Sequence, residues 1–115
     1  MERQVLQKAQ QVCVEIYRIA MRLPDTNKTK LQLQLRQTAL SVPSDIAKGF
    51  AGRTSAEYTH ALERAHVSIC ELGSKTLACR DSGYLDLKTF EGLQKTLADM
   101  EGMLKDIIKS AESSA

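Results

Sequence analysis

Apolar residues recur every three or four positions through four stretches of the chain, the period of helices that bury one face. Val5, Ala9, Val12, Ile16, Ile19 and Leu23 step by four and three, which predicts a first helix of about 20 residues stopping near Leu23-Pro24-Asp25. After a polar turn at residues 25–30, Leu31, Leu35, Thr38, Val42 and Ile46 repeat the step; Leu33, Ala39, Leu40, Ala47 and Phe50 read as a widening of the same face. This second helix is the most apolar of the four and ends in the glycines of residues 49–52. Thr54-Ser55-Ala56-Glu57 then has the form of a capping box, whose hydroxyl and carboxylate satisfy free N–H groups at a helix start. The third stripe is Tyr58, Leu62, Ala65, Ile69, Leu72, Thr76 and Cys79, closing at Asp81-Ser82-Gly83. A fourth helix, capped by Asp86, carries Phe90, Leu93, Leu97, Met100, Leu104 and Ile107, and the tail SAESSA is expected to fray.

Four helices of similar length joined by short connections pack most simply as neighbouring antiparallel rods. The predicted fold is therefore all-α, an up-down-up-down four-helix bundle. Residues 1–115 show no strand alternation, repeat or low-complexity linker and read as one domain. Pro43 interrupts the second stripe: it cannot donate to the carbonyl of Ala39, and its ring crowds that carbonyl, at a cost of about 3 kcal/mol in a plain helix interior. The apolar pattern continues past it, which predicts a helix kinked at Pro43 rather than one broken at Val42. Ala39, Ser41, Ser44, Ala47 and Gly49 cluster small side chains beside the proline, a surface that another backbone could approach closely.

Composition narrows the class without naming a function. With 43% apolar and 26% charged residues, no Trp, two Phe and three Tyr, the interior must be aliphatic. The start MERQVLQKAQQ has no apolar signal-like region, and no run approaches the roughly 18 apolar residues of a membrane span, so the expected place is the cytoplasm with no membrane contact. Cys13, Cys70 and Cys79 form neither a CxxC clip nor a disulfide framework and read as small buried thiols. Charge is polarised along the chain. Residues 1–55 hold nine Lys or Arg against four Asp or Glu, giving +5, and residues 56–115 hold seven against ten, giving −3. Attraction between basic and acidic helices, within or between copies, accounts for this more simply than a nucleic-acid footprint, since the net charge of +2 is far from strongly basic.

Residues 34–53, QLRQTALSVPSDIAKGFAGR, resemble the small bacterial four-helix-bundle proteins first noticed as reading frames in intervening sequences of 23S ribosomal RNA genes. Related to them are the accessory variability proteins of diversity-generating retroelements. The family pattern reads roughly Q-L-R-x-A-x-S-I-P-x-N-I-A-E-G, with a basic residue after it and a later A-x-G-S-x-x-E. The chain matches it at Gln34, Leu35, Arg36, Ala39, Ser41, Pro43, Ile46, Ala47, Gly49 and Arg53, then at Ala65, Ser68 and Glu71. It departs with Asp45 for Asn, Lys48 for Glu and Val67 for Gly. The resemblance implies a homopentameric ring without enzymatic activity and, for the retroelement members, association with RNA and a reverse transcriptase.

Candidate chemistry is sparse. Arg36 and Glu71 could pair between the second and third helices, a structural role, since no nucleophile or cleft accompanies them. Ser41, Pro43, Ser44, Ala47, Gly49 and Ser68 complete the assembly or packing candidates. Arg18, Arg22, Lys28, Lys30, Lys48 and Arg53 could grip phosphates, though no aromatic platform accompanies them. Glu63, His66 and Cys70 share one helical face but lack a second ligand set, so no metal site is expected. GFAGRT lacks the spacing and the lysine of a phosphate loop, and Ser41 and Ser68 have no nucleophile setting, so neither catalytic residues nor a cofactor are expected. The expectation is a self-assembling interaction protein whose partner is itself. Its rival is an accessory factor binding RNA, or a nucleic-acid-associated protein, through a basic face of helices one and two.

Overall fold

The computed structural model describes residues 2–23 and 29–114 and contains four α-helices, with no strand among the described residues. They are α1 (Glu2–Arg22), α2 (Thr29–Phe50), α3 (Ser55–Asp81) and α4 (Leu87–Ser114). Pro24, Asp25 and the turn as far as Lys28 lie outside the described residues. α1 packs on α2 and α4, and α3 packs on the same two helices from the other side, so each helix has two neighbours and the diagonals do not meet. At about 1.5 Å per residue the 27 residues of α3 span about 40 Å, most of the molecule's 49 Å length.

The stripes supply the core. All six residues of the first stripe are buried, as are Leu35, Val42 and Ile46 of the second, every predicted position of the third except half-buried Tyr58, and Leu93 to Ile107 of the fourth stripe. Each Leu or Ile withdrawn from water contributes roughly 1.5–3 kcal/mol. The widening expected on α2 does not occur at Leu33, Leu40 and Ala47, which face solvent; Leu33 and Leu40 are each 51% exposed. At about 100° per residue, a side chain two positions from the Leu35–Val42 line points about 160° away from it.

The helix ends follow their local chemistry. The Thr54 hydroxyl accepts from the Glu57 N–H at 3.1 Å, while the Glu57 carboxylate reaches back one residue further than the usual box, accepting from the Arg53 N–H at 2.8 Å. Gly83, at φ +83°, reverses the chain after α3; its N–H reaches the Arg80 carbonyl, and the Tyr84 N–H reaches that of Cys79, the paired bonds of a Schellman cap. Asp86 caps α4, accepting from the Thr89 N–H at 3.0 Å and its hydroxyl at 2.7 Å. α4 remains helical through Ser114, so the tail expected to fray is largely part of it.

Polar pegs join neighbours between the apolar layers. Gln32 donates to the Ala20 carbonyl at 2.7 Å, and the Tyr58 hydroxyl donates to the Glu2 carboxylate. Thr76, 1% exposed, is the polar member of the core among the described residues; its hydroxyl donates to the Gly73 carbonyl and accepts from the Gln94 amide, both at 3.0 Å.

Candidate functional site

The segment around Pro43 lies against α3. α2 runs helically through the proline, and the Ser41 hydroxyl donates to the Thr38 carbonyl at 2.7 Å rather than to that of Ala39. Ser41 and Ser68 oxygens stand 2.8 Å apart; with the single Ser41 proton on Thr38, the Ser68 hydroxyl donates across the helix pair. One turn on, Asp45 meets Arg64 at 3.6 Å. Gly49 is buried, and a Cβ there would stand 3.1 Å from Leu62 Cδ2 and 3.3 Å from the Tyr58 carbonyl oxygen. The small residues thus divide. Ser41, Ser68 and Gly49 close the α2–α3 seam inside the protomer, Pro43 is half-buried, and Ser44 and Ala47 face outward.

Beyond Gly49 the chain leaves α2, and four basic or titratable side chains converge. Lys48, Arg53, His60 and Arg64 line an open groove of about 570 Å³ at the α2–α3 corner. The carboxylate at that groove, Glu57, is engaged with the Arg53 N–H. Arg18 and Arg22 instead line a separate groove of about 760 Å³ along α1, reached by Thr89 of α4. Lys30 is exposed at the start of α2, 18 residues and so about 27 Å along the helix from Lys48. The basic candidates therefore separate into the pair Arg18 and Arg22, the pair Lys48 and Arg53, and Lys30, which lines neither groove; Lys28 lies outside the described residues. His60 and Arg64 were missed because their place beside Lys48 depends on how α3 docks.

Arg36 and Glu71 do not pair. The Arg36 guanidinium lies 5.1 Å from the centre of the Tyr17 ring, a cation–π contact joining α2 to α1, and Glu71 is exposed. Nor are the cysteines uniformly buried. Cys79 is buried and Cys13 half-buried, and burial pushes both thiols up from the ordinary range. Cys70 is exposed on α3.

The helix order, the proline-bearing α2 and its seam with α3 can be set beside known proteins. The family model described as 23S rRNA-intervening sequence protein matches residues 1–106. The chain belongs to this family. A crystal structure of a protein of unknown function from the S23 ribosomal protein family of Bacteroides thetaiotaomicron is similar, with a TM-score of 0.84 at 18% identity, covering 94% of this chain and 97% of that one. At that identity the likeness speaks for the fold alone. No curated protein matches the chain. Neither the family description nor the structural neighbour names a reaction. No described helix is long and apolar enough to cross a membrane.

Proposed function

We propose that the chain is a non-enzymatic, cytoplasmic interaction protein that assembles into a homo-oligomeric ring, five copies being the number its family resemblance implies. The observation that carries this reading is the outer face of α2. Leu33, Leu40, Ser44 and Ala47, spaced by seven, four and three, form one exposed stripe of apolar and small side chains. A second copy is the occupant that charge favours, since the basic first half of one chain complements the acidic second half of another.

The bundle within each copy is read as a single up-down-up-down domain. Contacts that descend one helix while ascending the next support this: Ser41 with Ser68 and Asp45 with Arg64 on α2 and α3, then His66 with Glu101 and Thr76 with Gln94 on α3 and α4. A bend in α2 at Pro43 is part of the same reading, because the missing N–H loosens the solvent-facing turn. Light scattering of the purified chain is expected to give a mass several times 12.8 kDa, and Leu40→Glu with Ala47→Arg to return it to that of one chain. A wild-type mass of 12.8 kDa, or an unchanged mass in the double variant, refutes the assembly.

A second reading has its own observation, the convergence of Lys48, Arg53, His60 and Arg64. Repeated around a ring, such a corner would hold the phosphates of structured RNA, as the resemblance to retroelement accessory proteins implies. Binding should then fall steeply with salt, and Lys48→Glu with Arg53→Glu should flatten that dependence.

A further inference from the structure

The α3–α4 face carries a cluster outside both surfaces above. His66 and Cys70 stand four residues apart on α3, and Glu101 faces them from α4; one donor atom from each lies within 4.8 Å of the other two. His66 Nε2 is 3.3 Å from Glu101 Oε1, yet it is buried and makes no hydrogen bond. An N···O edge of about 3.3 Å is what two bonds of about 2.0–2.1 Å give at the tetrahedral angle. A buried imidazole nitrogen held against a carboxylate without bonding to it is the arrangement expected where a cation fits between the two. Glu63, one turn before His66, is not in the cluster; Glu101 supplies the ligand that α3 lacks.

We propose that His66, Cys70 and Glu101 bind a divalent ion of the zinc type, with one nitrogen, one sulfur and one carboxylate oxygen as ligands and water in the fourth position. That donor set suits zinc or cobalt and is too soft for magnesium or calcium. Residues i and i+4 face the same way from consecutive helical turns, so imidazole and thiol can converge on one ion. Cys70 is exposed, so a rotation of its side chain can shorten the remaining gap. Cys70 and Glu101 also line an open groove of about 380 Å³ between the helices, which gives the ion a way in. Lys105, 3.5 Å from Glu101 Oε1, has a side chain 67% exposed and can turn into water as the ion enters. On binding, the thiol proton leaves to solvent, the metal–sulfur bond forms, and the ion gives up hydration waters for the three side chains. All three ligands belong to one protomer, so the site stands apart from the assembly reading.

The test is titration of the metal-free full chain with Co²⁺, followed by Zn²⁺. One cobalt per chain should bind, with the visible bands of four-coordinate cobalt and a thiolate charge-transfer band, and zinc should bleach both. Cys70→Ser should abolish the charge-transfer band, Cys13→Ser should leave it intact, and His66→Gln or Glu101→Gln should weaken binding by about tenfold or more. Absence of the bands in the parent chain overturns the proposal, and so does a charge-transfer band that survives in Cys70→Ser, which retains Cys13 and Cys79.

Discussion

Replacing glycine by alanine should stabilise the protein at one helical position and fail to do so at another. At Gly102, on the exposed side of α4, an added Cβ meets nothing within 4 Å, so Ala contributes its full helical advantage, about 1 kcal/mol. At Gly49 the new methyl would stand 3.1 and 3.3 Å from Leu62 Cδ2 and Cγ, and 3.3 Å from the Tyr58 carbonyl oxygen. Leu62 is fully buried and cannot swing into water, while the carbonyl is part of the α3 backbone, so relief requires the two helices to separate by a few tenths of an ångström. Overpacking of this kind costs about 1–3 kcal/mol, which offsets or exceeds any propensity gain there. Because Gly49 is the last but one residue of α2 and Gly102 lies inside α4, the propensity gain at Gly49 is no larger, and the difference between the two variants is at least the crowding, about 1–3 kcal/mol. Urea unfolding followed by far-ultraviolet circular dichroism, at one fixed protein concentration so that association does not differ, measures it. If Gly49→Ala stabilises as much as Gly102→Ala, α2 and α3 do not approach this closely at Gly49.

Two further outcomes concern titration. Burial, reinforced by the hydrogen bond to the Glu2 carboxylate, pushes the Tyr58 phenol up to about 12. Tyr58 should therefore ionise late in an ultraviolet titration, and Tyr58→Phe should remove that late step. Since the folded value lies above the unfolded one, the contact's stabilisation is intact below about pH 10 and lost as pH rises toward 12; a late step that persists in Tyr58→Phe refutes the assignment. The Thr89 hydroxyl, followed by the Thr89 N–H, holds the Asp86 carboxyl below its usual value. Its stabilisation is present above about pH 4 and is lost as pH falls through the depressed folded value. Asp86→Asn keeps a capping oxygen but no charge, so its melting temperature should trail the parent's at pH 7 and converge with it in acid; a gap constant with pH contradicts the cap's charge dependence.

Much of the bundle was legible because helical periodicity and caps are local. The stripe from Val5 to Leu23, the Thr54 and Asp86 caps and the glycine reversal after α3 depend on neighbours within a few residues. What depended on docking was not legible. Arg36 could be placed on a helix face, but nothing local shows that Tyr17 rather than Glu71 lies under it. Leu33 and Leu40 looked like core because apolar character alone does not say which side of α2 meets its neighbours. Glu101 lies 31 residues beyond Cys70, and its meeting with His66 is fixed by the register of α4 on α3. The only available signal was the shared helical face of His66 and Cys70.

The Thr76–Gln94 bond couples one position of α3 to one of α4. A layer of leucines or isoleucines can be rewritten one side chain at a time, each change costing a little volume. The buried Thr76 hydroxyl and the half-buried Gln94 amide do not drift so freely: without Gln94 the hydroxyl oxygen loses its N–H donor, and without Thr76 the amide keeps only its longer bond to the Gly73 carbonyl, at 3.3 Å, a loss of roughly 0.5–1.5 kcal/mol. Exchange of Thr76 for Val and of Gln94 for an apolar residue should therefore cost less together than the sum of the two single exchanges.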